Sequence, residues 1–211
     1  VSSLDADGFT MGNGTSVNES GETFVGWCWE AGGTPTADNS AGAGATTTSG
    51  SVKIDGSNLG SALAGTIPAT RLSANTSKGF SIVTYTGTGS VGTVAHGLGG
   101  ATPKWMIIKN RSTATWFNVY HTSLGATKYV RLNSNVGEQT NSNVFNNTEP
   151  TSSVFTVATV NDVNASGEDY VAYVWSDISG YSKFDSYTGN GSATGPSVTL
   201  GFAPAWIMIK N

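Results

Sequence analysis

Charge is what this sequence has least of. Asp, Glu, Lys and Arg make up 11% of its 211 residues, against about 25% in an average soluble domain, so the surface is hydrated mainly through hydroxyls and amides. The ten Lys and Arg are scattered singly and the net charge is −4. No basic stripe is available to neutralise phosphates, which argues against nucleic acid as a partner. The single cysteine, Cys28, excludes an intrachain disulfide framework and leaves stability to packing. With two histidines and that one thiol, a standard zinc site cannot be built without carboxylate help. No apolar run approaches the roughly 18 residues of a membrane helix, and no signal peptide is visible at the start. No membrane insertion and no cofactor are expected.

What is abundant is glycine and repetition. Residues 85–110, YTGTGSVGTVAHGLGGATPKWMIIKN, return as residues 187–211, YTGNGSATGPSVTLGFAPAWIMIKN, with a one-residue gap between the Leu-Gly pair and the proline. Residues 9–30 align without gaps on residues 155–176, placing Val17 on Val163, Gly21 on Gly167, Glu22 on Glu168 and Trp29 on Trp175. An internal repeat of this kind decides how many folded units to expect. The expected division is the closing part of a first module at 1–30, a low-complexity linker and spacer at 31–77, a complete module at 78–178, and the opening part of a further module at 179–211.

Inside the complete module, short runs of strand character fall near 80–86, 91–96, 104–109, 115–121, 127–133, 152–158 and 169–177, separated by Gly-rich turns and one longer polar loop at 133–151. Seven short strands without a helical period predict an all-β fold, an antiparallel β-sandwich, with a closed barrel as the alternative. Another strand is expected at residues 23–29, with Val25, Trp27 and Trp29 on one face and Phe24, Gly26 and Cys28 on the other. The later copy divides in the same way, with Val171, Tyr173 and Trp175 opposite Tyr170, Ala172 and Val174. WMIIK at 105–109 does not alternate: Trp105 and Ile107 face one way, Met106 and Ile108 the other, and both faces need cover. The expected packing anchors are therefore Val25, Trp27, Trp29, Trp105, Ile107, Val171, Tyr173, Trp175 and Trp206. The linker, AGGTPTADNSAGAGATTTSGS at 31–51, is read as flexible. Its continuation to residue 76 carries Leu59, Leu63 and Ile67 too irregularly for a helix, and these are expected to line the axis of a trimer.

Chemistry-bearing patterns are few. There is no Gly-x-Ser-x-Gly elbow, phosphate loop or dinucleotide fingerprint. Asp5-Ala6-Asp7-Gly8 begins like a calcium loop but lacks the later oxygen ligands. Glu22 and Glu168 recur just ahead of the aromatic strand, where a turn-stabilising carboxylate is the simpler reading than half of a glycosidase pair. His96 is replaced by Val198 in the other copy, and Cys28 lies on the small-residue face; both read as structural. Trp116, Tyr120 and His121 offer an aromatic platform for a sugar ring, with core packing as the competing fate. No catalytic or metal-binding residue is identified, and no enzymatic activity is expected.

The strings GFSIVTYTG, AHGLGGATPKWMIIKNR, YHTSLGATKYVRLN, NSNVFNNTEPTSSVFTV and GEDYVAYVWSDISGYSKFDSYTGNGS resemble a repeated domain of uncharacterised function in virion structural proteins of marine bacteriophages, notably those of cyanobacteria and ocean heterotrophs. The resemblance covers residues 1–30 and 78–211. It implies a β-rich virion component, located in the extracellular particle, and carries over no catalytic or binding residues. The expectation is a tail fibre or tail appendage protein that contributes to host-surface attachment. A capsid decoration or shell protein and a bacterial surface adhesin or filament subunit are the alternatives. Expected partners are further copies of the chain, with a trimer favoured, other virion proteins in head-to-tail assembly, and a host surface glycan. The opening tail and the closing head are expected to dock into a second, composite sandwich, within one chain or across neighbours.

Overall fold

In the computed structural model, which describes residues 1–211, a small ribbon of β1 (Ser3–Leu4) and β2 (Phe9–Thr10) is followed by a single helical turn, α1 (Thr15–Asn18). The main body begins with β3 (Val52–Ile54), β4 (Ser57–Asn58), β5 (Ala69–Asn75), β6 (Phe80–Thr86), β7 (Gly92–Ala95) and β8 (Trp105–Asn110). It continues through β9 (Asn118–His121), β10 (Lys128–Arg131), β11 (Gln139–Thr140), β12 (Val154–Val157) and β13 (Asp169–Trp175). Two further single turns, α2 (Ser142–Phe145) and α3 (Asn161–Asn164), flank β12. The fold is all-β, and all seven strands anticipated in the complete module are present.

Nine strands form one sheet in the order β11-β10-β9-β8-β13-β6-β5-β3-β4. The last strand in sequence, β13, is therefore central: it pairs with β6 from Asp169↔Thr86 to Trp175↔Phe80, and with β8 from Tyr170↔Asn110 to Trp175↔Trp105. Its alternation sorts the interior. Tyr170, Ala172 and Val174 point into the main core with Val83, Tyr85, Met106, Ile108 and Tyr120, while Trp175 points to the opposite face with Phe80, Trp105, Ile107, Val119 and Val130. All four apolar residues of 105–108 are buried, so the non-alternating run has cover on both sides.

The layer over the main core is much narrower than the sheet it covers. It consists of β7 paired with β12, together with α2 and α3. Tyr85 meets Phe155 at 6.3 Å between ring centroids and its hydroxyl donates to the Val163 carbonyl at 2.7 Å, while Tyr120 meets Phe145 edge-on at 5.8 Å. Each large side chain buried here contributes about 1.5–3 kcal/mol. The sheet is mixed, because β3 runs parallel to β5 through Val52↔Leu72.

The sharpest departure from expectation is at 31–77. Residues 52–75 are no spacer: they supply three strands of the sheet, and Val52, Ile67, Ala69, Leu72 and Ala74 are buried in the main core. Ile67 and its partly buried neighbours Leu59 and Leu63, expected to face other chains, pack on the chain's own core. The reason is that sparse apolar residues need only a paired neighbour, which β6 provides, and one facing layer, which β7 and β12 provide. The low-complexity stretch before them is strapped down by its backbone. Thr36 N–H donates to the Gly50 carbonyl at 2.8 Å, Asn39 N–H to Thr70 at 2.8 Å, and the Ser73 hydroxyl to Gly33 at 2.6 Å. Gly32 lies so close to β5 that a Cβ there would come within 2.0 Å of the Ala74 carbonyl oxygen.

A second correction concerns the anchors at the two ends. Trp105, Ile107 and Trp175 are buried and Val171 and Tyr173 half-buried, whereas Val25, Trp27, Trp29 and Trp206 are exposed. Residues 23–29 and 206–211 belong to no strand. Each lacks the neighbours that bury its counterpart in the complete module.

Candidate functional site

The sugar platform expected from Trp116, Tyr120 and His121 does not assemble. In β9, Tyr120 faces the main core, and its hydroxyl donates to Glu149 Oε2 at 2.5 Å, while Glu149 Oε1 accepts the Ala126 N–H at 2.7 Å. Burial, reinforced by that carboxylate, raises the Tyr120 pKa well above the usual phenol range. His121 lies on the other face of the strand, where its Nδ1 accepts the Ser123 N–H at 3.1 Å and burial lowers its pKa. Only Trp116 is open to solvent, and the Arg131 guanidinium covers its ring at 4.9 Å, held as well by Asp162 at 3.7 Å. Alternation correctly separates the residues between faces, but which face is core depends on the neighbouring strands.

Of the other chemistry-bearing residues, His96 and Glu168 are absorbed by the fold, whereas Cys28, expected as a buried and inert thiol, is exposed because residues 23–29 join no strand. His96 is fully buried; its Nδ1 accepts the Leu98 N–H at 3.2 Å and its Nε2 lies 3.2 Å from the Thr151 carbonyl, an arrangement that suits the neutral ring protonated on Nε2. Burial lowers its pKa to about 4, against the opposing pull of the Thr151 carbonyl. Glu168 Oε2 accepts from the Asn110 amide, from Thr113 Oγ1 at 3.3 Å and from the Tyr170 hydroxyl at 3.4 Å. It thereby ties the end of β8 to the start of β13. No group of three or more His, Cys, Asp and Glu side chains is placed to hold a metal ion.

A polar cleft of about 470 Å³ opens among Asp38, Arg71, Thr84, Arg111 and Asp169. Its two carboxylates are already engaged: Asp38 with Arg71, and Asp169 with the Thr86 hydroxyl at 3.0 Å. Arg111 gives the cleft a further cation.

The most developed surface is aromatic. On the outer face of the sheet, Trp105 stacks on Trp175 at 4.2 Å, Phe80 lies 4.9 Å from Trp175, and Phe184 stacks on Trp105 at 5.5 Å. Trp29 extends this array, 5.6 Å from Trp175 and 6.2 Å from Phe80, and Trp206 meets Trp29 at 5.7 Å and Trp27 at 6.2 Å. Rings from both ends of the chain thus meet over the middle of the sheet. Offset and edge contacts of this kind add about 0.5–1.5 kcal/mol each beyond their burial. The alternation at 23–29 and the WxxIKN run at 206–211 signal this surface in the sequence, although Phe184 carried no such signal.

A family model described as a domain of unknown function, DUF7483, matches residues 1–211. The chain belongs to that family. No curated protein and no solved structure matches it. The DUF7483 chain therefore has its chemistry described by its own residues: a β scaffold whose aromatic array runs from the buried Phe80, Trp105 and Trp175 to the exposed Trp27, Trp29 and Trp206.

Proposed function

We propose that this DUF7483 chain is a non-enzymatic structural component of a phage particle, contributed to a tail fibre or tail appendage and taking part in attachment to the host surface. The reading rests on one observation, the long strings within residues 79–111, 120–133, 141–157 and 167–192 that resemble the repeated domain of marine phage virion proteins. Three features are in keeping with it. The broad sheet has both faces at least partly covered, which suits a stiff and protease-resistant unit. The surface is rich in hydroxyls and amides and poor in charge. In the polar cleft Asp38 is paired with Arg71, and Asp169 accepts from the Thr86 hydroxyl.

On this reading the loops at the sheet ends meet the host, and the aromatic surface meets other virion proteins or further copies of the chain. Labelling intact particles with antibody raised against the chain and viewing them by electron microscopy tests it. Label on tail fibres or appendages is expected. Label spread over the capsid would replace the tail assignment with a shell protein, and particles that take no label would remove the virion reading altogether. Product analysis after incubation with host glycans tests the non-enzymatic part, since any turnover would overturn it.

A further inference from the structure

The complete module supplies a template for the two ends of the chain. Its central strand β13 sits between β6 and β8, with Trp175 opposite Phe80 on one side and Trp105 on the other. The repeat carries β13 onto residues 23–29, β8 onto 206–211, and β6 onto 182–188. The likeness extends to the backbone: α1 at Thr15–Asn18 falls at the positions equivalent to α3 at Asn161–Asn164, and β2 falls on the part of β12 that begins at Phe155. The opening segment therefore already holds the local structure of the part of a module that leads into β13.

We propose that residues 23–29 are the donor strand of a second, composite module, inserting between 182–188 and 206–211 of the same chain in the register of β13. That register places Trp29 opposite Trp206, Cys28 opposite Ile207, Trp27 opposite Met208 and Gly26 opposite Ile209. It also brings Glu22 to Asn211, as Glu168 meets Asn110. The composite has no counterparts of β9, β10 and β11 on one edge of the sheet, of β5, β3 and β4 on the other, or of α2, and consists of the central strands with the copies of β7, β12 and α3.

Three observations carry this pairing. First, the strand-forming residues are bare: Val25 is 79% exposed, Trp27 63%, Ile207 65% and Ile209 66%, whereas Met106 and Ile108, the counterparts of the two isoleucines, are fully buried. Second, the rings that face one another in the template are already in contact, Trp29 with Trp206 at 5.7 Å. Third, both segments are delivered to the same face by anchors on the complete module, Trp29 on Trp175 and Phe184 on Trp105. Tethering of this kind sets an effective concentration in the millimolar range, which favours the chain's own segment over that of a second copy.

The native Cys28 makes the register measurable. Residues directly opposite in an antiparallel pair have Cα atoms about 4.5–5.5 Å apart, inside the reach of a disulfide, while a position two residues away lies at about 7–8 Å and outside it. With oxidised glutathione as the two-electron oxidant, Ile207→Cys is expected to form an intrachain disulfide with Cys28, on the order of tenfold faster than Ile209→Cys. Met208→Cys, whose side chain points to the opposite face, is expected to remain a free thiol. Mass and size-exclusion measurements under non-reducing conditions read the result, with the β-type circular dichroism of each variant confirming its fold. Disulfide-linked dimers or ladders would overturn the proposal in favour of a second copy as partner. Equal rates at all three positions, or no cross-link in any folded variant, would overturn it outright.

Discussion

Residues 105–110 read WMIIKN and residues 206–211 read WIMIKN, yet one is a central strand and the other an exposed, unpaired segment. In β8, Met106 and Ile108 are sealed beneath β7, β12 and the helical turns, and Trp105 stacks on Trp175. In the copy, the only ring contacts are those of Trp206 with Trp27 and Trp29. Almost the same side chains, in almost the same order, differ in fate because a run that is apolar on both faces becomes a buried strand only where neighbours pair with it and cover both faces. The comparison teaches that the unit of folding here is the neighbourhood of a strand rather than the strand itself.

The comparison breaks most readily at its aromatic centre. Trp175→Ala removes the ring that Trp105, Phe80 and Trp29 all touch, and is expected to cost about 3–5 kcal/mol, the range for a buried aromatic truncated to alanine. Trp206→Ala, which removes the contacts with Trp27 and Trp29 in a far more exposed setting, is expected to cost about 1–2 kcal/mol. Urea denaturation of both variants checks this, and equal losses would mean that the two copies are equally embedded.

Next in size is a pH effect confined to the complete module, because His96 is Val198 in the copy. The folded chain holds the His96 ring neutral with a pKa lowered to about 4, while the unfolded chain protonates it near 6.5. The unfolded state thus binds the proton more tightly, so stability is full above about pH 6.5, falls as pH drops through that value, and levels off below about pH 4, with a total loss of about 3 kcal/mol. His96→Asn is expected to lower stability at pH 7 and to flatten this slope, as followed by denaturation between pH 4 and 7.5.

A smaller effect sharpens the contrast between packed and loose glycine-rich chain. Gly32→Ala drives a methyl into the Ala74 carbonyl and is expected to destabilise by about 1–3 kcal/mol, whereas Gly42→Ala, with nothing within 4 Å of its new Cβ, is expected to be neutral within about 0.5 kcal/mol. Thermal denaturation distinguishes them. Identical behaviour would show that the stretch from 31 to 51 is loose throughout.

Much of the complete module could be read in advance because its strands carry their own punctuation. Phe80–Thr86 was anticipated residue for residue, and the buried pattern of 105–108 follows from four apolar residues in a row flanked by Lys104 and Lys109. Residues 52–75 gave no such warning. Apolar side chains are thin there and glycines frequent, and the strands are held by pairing with β6 and by one facing layer, neither of which leaves a local mark. The candidate site failed for a related reason. Alternation separates Tyr120 from His121, but nothing in the strand says that Glu149, far along the chain, will claim the Tyr120 hydroxyl.

The sequence by itself determined that the chain is all-β, that two of its segments recur as sequence, and which residues of each strand share a face, because strand character and facing follow from a two-residue period and from turn chemistry. Only the tertiary structure decided which face became core, that the low-complexity stretch is strapped to the sheet, and that one copy of the WxxIKN run is buried while the other lies open. Those outcomes depend on long-range neighbours, and burial stabilises a side chain only where a neighbour arrives to exclude water.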